Sequence, residues 1–238
     1  MGQLHLIAQA YRRQDMLPVP LASDVRQAAG WTTTRDALFE DQSALRVTGL
    51  WRVVATMSEV QPDRLRRVET WLWCENGGDE TPQFALLLDF IPVATGAASS
   101  GYTIGDRIEA ELIFYPSSQP LRAQIVRTSG GAEHSAATLG FAPLLLRNAF
   151  TGYQRALANL PWLGVYPLQF TGARVRRSGD SLFLCDGDSP FALPLHDDQS
   201  TMALPLAGLD TLDGIALWNG YTATLIWAET PLGRWVSA

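Results

Sequence analysis

The sequence contains no lysine, so all 18 of its basic residues are arginines. A protein without lysine cannot form a Schiff base, hold pyridoxal phosphate through a lysine, or build a Walker A loop or a protein-kinase site. Codon bias in a GC-rich genome is the simplest origin of this composition. Whatever its origin, the absence of lysine removes every reaction that needs a lysine side chain. These enzyme classes are therefore excluded.

Cysteine and histidine are also scarce. The two cysteines, Cys74 and Cys185, lie far apart in apolar runs, and the three histidines, His5, His134 and His196, are equally dispersed. No two of these residues have the spacing of a local zinc site. Two cysteines in a chain of this length do not make the disulfide framework of a secreted protein. We therefore predict no bound metal and no cofactor.

The usual patterns of catalytic and nucleotide-binding sites are missing as well. The sequence has no GxSxG nucleophile elbow and no GxGxxG phosphate-binding turn. His134 and Ser135 are neighbours, but adjacent side chains point in different directions and do not by themselves form a catalytic dyad. The sequence indicates no catalytic residues, and we predict that the protein is not an enzyme.

Long apolar runs are absent, and the charge is acidic. No run approaches the ~18 residues that a membrane-spanning helix needs, although 47% of the residues are hydrophobic. The formal net charge is −6 and the isoelectric point is about 5.0, whereas nucleic-acid-binding modules usually carry a basic excess. We predict a cytoplasmic protein with no membrane partner, for which nucleic acid is a disfavoured partner.

The spacing of apolar residues predicts helices in residues 1–44. Apolar side chains recur there at the i, i+3, i+4 spacing of a helical stripe. Pro18 and Pro20 are expected to break the first helix, Ser23 to cap a second one, and Thr34 to begin a third. The sequence therefore predicts three short helices at this end of the chain.

From about residue 46 the apolar residues recur at every second position, which is typical of strands. Turn signals at Gln61-Pro62-Asp63 and at Asn76-Gly77-Gly78 separate the first apolar runs. Residues 107–115 alternate cleanly between apolar and polar side chains. We predict about five strands over residues 45–130, in an antiparallel meander that forms a barrel or a strongly curled sheet.

The remaining residues predict one helix and a second β unit. A helical pattern covers about 142–159 and stops at Pro161. Over residues 164–238, short apolar runs alternate with glycine-containing turns, and Asn219-Gly220 is a good hairpin signal. This spacing suits a small barrel of SH3-like or related type.

These patterns together predict an α+β fold that is mainly β, with antiparallel sheet or barrel units, an N-terminal helical segment and one bridging helix. The predicted parts are the helical segment 1–44, the antiparallel β unit 45–130, the loop and bridging helix 131–163, and the small barrel-like unit 164–238.

Several segments together resemble one bacterial family. They are GW at 30–31, GLWRVV at 49–54, RRVETWLW at 66–73, FALLLDF at 84–90, IEAELIFYPSSQPLRAQIV at 108–126 and NLPWLGVYPL at 159–168. In this order they are similar to the C-terminal region of large bacterial proteins that carry a SWIM zinc finger near their N-terminus. The resemblance covers most of residues 3–170, and its most specific part is the Tyr115-Pro116 turn with Arg122 after it.

The resemblance implies an interaction role rather than a reaction. Proteins of that family look like companions of AAA-type ATPase and von Willebrand A-type systems, so the resemblance implies a protein partner from such a system. The metal motif of the SWIM finger, CxCx(n)CxH, is absent here. Zinc binding and any nucleic-acid role of that finger therefore do not carry over.

The eight tryptophans are the strongest oddity of the composition. Simple alternation places Trp71 and Trp73 on one face of a strand, opposite Leu72 and Cys74. If only the second face is buried, the two indoles form an exposed pair suited to stacking a base, a sugar or a partner side chain. If both faces are covered, the indoles are part of the core.

Three arginines precede these tryptophans. Arg64, Arg66 and Arg67 could combine with the indoles into a surface for single-stranded nucleic acid. They could equally pair with Asp63 and Glu69 on a solvated strand. A second cluster has the same composition and consists of Arg174, Arg176 and Arg177.

Tyr115 and Arg122 bracket a proline-containing connection. Both residue types are common at the centre of protein interfaces, so this turn could anchor a partner. The prolines could instead fix the backbone of a rigid β corner.

One stretch is dense in acid and base groups: Asp186, Asp188, His196, Asp197 and Asp198. Such groups could hold a divalent cation or supply a general base. The stretch lacks the EF-hand pattern, and Asp-Gly-Asp-Ser-Pro is also typical of a turn between strands.

The sequence thus leads to three hypotheses for function. The first is a non-catalytic scaffold or protein-interaction module of a bacterial multi-component system. The second is a nucleic-acid or small-ligand binder that uses the arginine–tryptophan surface. The third is a metal-assisted hydrolase built on Asp186, Asp188 and His196.

Overall fold

The structure is a computed structural model that describes residues 2–78, 81–95, 101–187, 189–199 and 201–237. It divides into two compact units. The first comprises Met1–Ser135 with Asn159–Trp162, and the second comprises Ala136–Ala158 with Leu163–Ala238. Both units are built on largely antiparallel sheets with helices added. The predicted α+β, mainly β class is confirmed.

The first unit begins with three helices: α1 (Gly2–Arg12), α2 (Val19–Ala28) and α3 (Arg35–Glu40). Thr34 caps α3 as predicted, because its hydroxyl accepts the backbone N–H of Ala37 at 3.2 Å. Ser23 was expected to cap α2 and does not. Pro18 is the N-cap instead, and Ser23 lies inside the helix and donates to the carbonyl of Val19. Proline fits the first turn of a helix because its missing N–H would have no partner there.

The strands of the first unit are β1 (Arg46–Val60), β2 (Leu65–Cys74), β3 (Phe84–Pro92), β4 (Asp106–Phe114), β5 (Arg122–Thr128) and β6 (Glu133–His134). β1 pairs with β2 along one edge and with β4 along the other. β3 pairs in parallel with β5, with Leu86 opposite Arg122. The five long strands therefore close in the order β1-β2-β3-β5-β4-β1. This is the arrangement of the five-stranded Greek-key barrel known as the OB-fold.

The predicted meander is wrong in its strand order, although the predicted strands are present. The strand that lies beside β3 is β5 and not β4. Period-two alternation identifies a strand and its buried face, but it does not identify the neighbouring strand. β1 is 15 residues long and shifts its register between Val53 and Ala55, and a bulge of this kind bends the strand and increases its twist.

The interior of the first barrel is filled by large apolar side chains, among them Trp51, Leu72 and Phe114. On the outside, Leu38 of α3 packs on Ile113 and Tyr115. α2 is tied to the β4–β5 connection, where Asp24 accepts the backbone N–H of Ser118 at 2.8 Å.

The second unit contains α4 (Leu146–Asn159) and six strands: β7 (Tyr166–Ser178), β8 (Ser181–Cys185), β9 (Ala192–Pro194), β10 (Leu212–Trp218), β11 (Ala223–Thr230) and β12 (Gly233–Val236). The sheet order is β12-β11-β10-β7-β8-β9. An isolated bridge from Leu195 to Ala223 connects the end of β9 to β11 and curls the sheet toward a barrel. The predicted hairpin between β10 and β11 is present, but its turn differs from the predicted one: Gly220 has a φ of +95°, whereas Asn219 has no positive φ and accepts the N–H groups of Tyr221 and Thr222 through its side chain.

Gln199 supports the curled part of this sheet. Its buried side-chain amide donates to the carbonyl of Leu225 and accepts the N–H of the same residue, each at 2.6 Å. A side chain thus supplies both hydrogen bonds that a neighbouring strand would otherwise make. In the part of the chain described here, no helix has the length and apolarity needed to cross a membrane.

Candidate interaction surfaces

Trp71 and Trp73 lie on one face of β2, as the alternation predicts, but that face is covered. Their exposed fractions are 1% and 5%. The indole N–H of Trp71 donates to the carboxylate of Glu69 at 3.1 Å. Of the two alternatives, the structure therefore shows the one in which both faces of the strand are covered and the indoles are part of the core. Neither ring offers a face to a ligand in this structure.

The first arginine cluster lies at the tip of the β1–β2 hairpin. Arg64 is exposed in the turn and has a positive φ of 62°, and Arg66 and Arg67 are half-buried at the start of β2. Arg67 forms an ion pair with Glu69. Arg67 therefore follows the second alternative, in which an arginine of this cluster pairs with an acidic residue on the strand.

The aromatic residue beside this cluster is Phe90, which the sequence reasoning missed. Strand pairing places Phe90 directly opposite Arg67, and its side chain is 50% exposed. The signal was present in FALLLDF, whose last residue is an aromatic beyond the apolar core of the run. It could be placed beside Arg67 only once the register of β2 and β3 was known.

Tyr115 and Arg122 are brought together. The guanidinium of Arg122 lies 4.3 Å from the centroid of the Tyr115 ring, and the Tyr115 N–H donates to the Arg122 carbonyl at 2.9 Å. Tyr115 is buried against α3. The pair therefore forms a rigid corner of the barrel, with a cation–π contact inside it, and Tyr115 is not available to anchor a partner.

The described residues of the dense acidic stretch do not come together as a metal site. The Asp186 carboxylate accepts the N–H of Leu146, the first residue of α4, at 3.2 Å and lies 3.4 Å from the guanidinium Nε of Arg147. His196 lies near Asp198 in a separate turn, at 3.4 Å. Asp188 lies outside the described residues, and among those described no group of three or more His, Cys, Asp or Glu could hold a metal ion.

Asp186 thus acts as the N-terminal cap of α4, supplied from a distant turn. A carboxylate at this position accepts a hydrogen bond from an N–H that has no partner within the helix. Its negative charge also interacts favourably with the positive end of the helix dipole. The sequence could not assign this role because the two segments are 40 positions apart.

We expect Asp186→Ala to lower the free energy of unfolding of the second unit by about 1–2 kcal/mol. The matched control is Asp180→Ala, because Asp180 is fully exposed in the β7–β8 turn and pairs only with Arg177 among the described residues. Urea unfolding followed by circular dichroism measures both variants. Equal midpoints for the two would contradict the capping role.

His134 and Ser135 make contacts with different groups of the first barrel. His134 Nδ1 lies 3.3 Å from a carboxylate oxygen of Asp106, and the Ser135 carbonyl accepts a hydrogen bond from the buried Arg52 at 2.9 Å. Both contacts tie β6 and the residue after it to the first barrel.

Cys74 and Cys185 are both buried, one in each unit. Burial raises the pKa of the Cys74 thiol, and it also raises that of Cys185 although the charge of Arg176 opposes the rise. A raised pKa leaves less thiolate at neutral pH. We expect both thiols to react with iodoacetamide at pH 7.5 many times more slowly in the native protein than in urea. Rapid native labelling of either one would contradict its burial.

A cluster of aromatic rings in the second unit was not predicted. Its members come from α4, β7, the β8–β9 connection and the end of β10, and they are Phe150, Tyr153, Tyr166, Phe191 and Trp218. We call these five residues the aromatic cluster. Neighbouring ring centroids lie 5.2–6.3 Å apart in tilted or edge-on pairs, which is the preferred geometry of aromatic contacts.

The aromatic cluster is only partly covered. Trp218 is buried at its centre, and the other four rings are half-buried. Burial raises the pKa of the Tyr166 hydroxyl. The β10–β11 turn adjoins the cluster, because a Cβ on Gly220 would lie 3.6 Å from the Tyr153 hydroxyl. The next residue, Tyr221, is 83% exposed.

Arg174 and Arg176, from the second arginine cluster, line a cleft of about 230 Å³ in the second unit. Arg177 is placed elsewhere, since its guanidinium donates to the carbonyl of Gly179 and pairs with Asp180. Because side chains alternate along β7, Arg174 and Arg176 share one face of the strand and Arg177 does not.

Comparison of the chain with protein-family models, with curated proteins and with solved structures finds no match.

Proposed function

We propose that this chain is a non-catalytic protein-interaction module of a bacterial multi-component system, and that the aromatic cluster is its contact surface. The observation that carries the proposal is the partial exposure of four clustered rings around Trp218. Large rigid aromatic side chains bury much apolar area at a low cost in conformational entropy, which is why they dominate the centres of protein interfaces.

The neighbourhood of the cluster supports a macromolecular partner. Tyr221, in the adjoining turn, is 83% exposed. An exposed ring beside a half-buried aromatic group enlarges the apolar surface that a partner can cover. We therefore expect a protein partner rather than a metabolite at this surface.

The resemblance to the C-terminal region of SWIM zinc-finger family proteins gives the kind of partner. On that basis we propose a component of an AAA-type ATPase or von Willebrand A-type system, acting in the cytoplasm. No reaction is proposed: of the candidate groups that the structure describes, Asp186 caps α4 and His196 lies in a separate turn.

Capture from a native cell extract tests this proposal. The chain is used as bait at low and at high salt, with and without nuclease. We expect the same protein partner to be recovered under all conditions, because contacts between apolar surfaces are not weakened by salt. Recovery of nucleic acid alone, lost at high salt, would contradict the proposal.

The hairpin tip of the first unit favours a second candidate, which is binding of single-stranded nucleic acid. Phe90 is exposed beside Arg67, and Arg64 lies in the adjoining turn, so a base could stack beside guanidinium groups. Two carboxylates oppose this function, since Glu59 is directly opposite Arg67 and Glu69 is paired with it.

Fluorescence anisotropy with a labelled single-stranded oligonucleotide decides the second candidate. Binding that weakens steeply with salt and is lost in Phe90→Ala would support it. No binding at low salt, or binding that Phe90→Ala leaves unchanged, would remove it.

A further inference from the structure

Two asparagines of the chain are followed directly by glycine. Asn76 lies in the connection after β2, and Asn219 lies in the β10–β11 turn. A glycine has no Cβ to hinder approach to its backbone nitrogen, so that nitrogen can attack the side-chain amide of the preceding asparagine. The two groups are held together by the chain, which favours such an intramolecular attack. The surroundings of the two asparagines decide which of them reacts in the folded protein.

The side-chain carbonyl oxygen of Asn219 accepts two backbone hydrogen bonds. The N–H of Tyr221 donates to it at 2.9 Å, and the N–H of Thr222 donates to it at 2.8 Å. Negative charge develops on this oxygen when the amide carbon is attacked, and N–H groups that already point at the oxygen stabilise that charge. The turn therefore has the electrostatic arrangement of an oxyanion hole for an attack on the Asn219 amide.

The nucleophile of this attack is accessible in the turn. Asn219 and Gly220 are both exposed, and no hydrogen bond engages the Gly220 N–H within the part of the chain that the structure describes. The side-chain nitrogen of Asn219, which would leave in the reaction, donates to the Thr222 hydroxyl at 3.2 Å. Solvent can therefore remove the proton of the Gly220 nitrogen, while the turn holds the amide that it attacks.

The side chain of Asn76 is held in a different way. Its carbonyl oxygen accepts the N–H of Leu50, in the neighbouring strand β1, at 2.8 Å. The Cys74 sulfur lies 3.5 Å from the same oxygen, and a Cβ on Gly77 would lie 3.4 Å from that sulfur. A ring at Asn76 can close only if this side chain releases β1, whereas the partners described for Asn219 all lie in its own turn.

We propose that Asn219 is a self-modification site, at which the folded protein converts this asparagine to aspartate or isoaspartate through a cyclic imide. The backbone nitrogen of Gly220 loses its proton and forms a bond to the side-chain carbonyl carbon of Asn219. The bond from that carbon to the side-chain nitrogen breaks, and this nitrogen takes up one proton and leaves as ammonia. Water then opens the imide at one of its two carbonyl carbons, and nothing is oxidised or reduced.

The modification changes the charge of the turn. A carboxylate, which is ionised at neutral pH, replaces a neutral amide next to Tyr221, which is 83% exposed. The turn also adjoins Tyr153, whose hydroxyl would lie 3.6 Å from a Cβ on Gly220. Both products therefore place a negative charge at the border of the aromatic cluster. The reaction itself goes beyond the proposed function, because it needs no partner.

Peptide mapping by mass spectrometry tests the proposal. The full chain is incubated at mildly alkaline pH under native conditions and in urea, and the conversion of Asn219 and of Asn76 is followed over time. We expect similar rates for the two sites in urea, because each asparagine is followed by glycine and neither is held by the fold. In the native protein we expect Asn219 to convert about tenfold faster than Asn76 or more.

Two variants test the role of the backbone donors. Tyr221→Pro removes one of the two N–H groups that point at the Asn219 oxygen, and Tyr221→Ser is the matched control, since it removes the same ring and keeps the N–H. Tyr221→Pro should slow the native conversion of Asn219 at least about fivefold, and Tyr221→Ser should change it less than about twofold.

Three results would overturn the proposal. They are no native conversion of Asn219 over a time in which it converts in urea, native conversion of Asn76 at an equal or higher rate, and equal rates in Tyr221→Pro and Tyr221→Ser. If Tyr221→Pro does not fold, the comparison of Asn219 with Asn76 decides. These measurements involve no partner, so failure here leaves the proposed protein-interaction function standing, and failure of partner capture leaves this site standing.

Discussion

Replacement of Gly214 by alanine is expected to unfold the second unit. Gly214 lies in β10, between β7 and β11. A Cβ at this position would collide with the backbone carbonyl oxygen of Trp227, and it would lie 3.1 Å from Cζ of Phe170 and 3.4 Å from Cα of Ala228. Because the closest atom is backbone in a central strand, no side-chain rotation relieves the collision. We expect a loss of more than about 4 kcal/mol in the free energy of unfolding.

The measurement compares Gly214→Ala with Gly164→Ala, in which the new methyl group meets no atom within 4 Å. Thermal unfolding gives the overall effect, and labelling of Cys185 and Cys74 reports on the second and the first unit respectively. Rapid labelling of Cys185 in Gly214→Ala is the expected result. A Gly214→Ala protein with the melting temperature of Gly164→Ala would show that β10 and β11 are not paired as described.

Replacement of Arg52 by methionine is expected to destabilise the first unit almost as strongly. Arg52 is 1% exposed. Its guanidinium donates to Glu75 at 2.7 Å and to the carbonyls of Gly105 and Ser135 at 3.3 and 2.9 Å. Methionine fills a similar space but supplies no donor, so the Ser135 carbonyl and one Glu75 oxygen lose the hydrogen bonds from Arg52, whereas Glu75 keeps its contact with Arg107 and the Gly105 carbonyl still accepts the Ser135 N–H. Breaking a buried ion pair from one side costs about 3–5 kcal/mol.

The control for Arg52→Met is Arg107→Met. Arg107 pairs with the same carboxylate of Glu75 at 3.0 Å, but its side chain is 38% exposed. Water can replace it, so we expect a loss of less than about 1 kcal/mol. Urea unfolding of both variants gives the difference. Similar losses in the two would mean that the carbonyls of Gly105 and Ser135 do not depend on Arg52.

The strands and several of their turns could be predicted from the sequence because their signals are local. The Asn219-Gly220 hairpin needs only a two-residue pattern between apolar runs. The closure of the first barrel could not be predicted, because it depends on the parallel contact between Leu86 and Arg122, which are far apart in sequence. The alternation of residues within β3 or within β5 does not indicate that these two strands are neighbours.

The burial of Trp71 and Trp73 could not be predicted for a related reason. Alternation correctly placed Trp71 and Trp73 on one face, but it does not say whether a further layer covers that face. The aromatic cluster was missed because its rings come from four separate segments. Its only local signal is the spacing of Phe150 and Tyr153, three residues apart on α4, which places them on one helix face.

Asp186 shows how one residue type supports two different interpretations. A carboxylate near a histidine in sequence suggests acid–base or metal chemistry. The same carboxylate caps α4 when the turn that carries it packs against the first turn of the helix. Only the fold distinguishes these roles, since both are compatible with the same sequence.

The most direct test of the proposed function is partner capture with variants of the aromatic cluster. Quantitative mass spectrometry compares the chain with Tyr153→Ala and Tyr221→Ser, and with Trp31→Ser as the control, since Trp31 is 63% exposed in the first unit. Loss of one protein partner in both tyrosine variants, with full recovery in Trp31→Ser, is the predicted result. Unchanged recovery in both tyrosine variants would contradict the assignment of the interaction surface to the aromatic cluster.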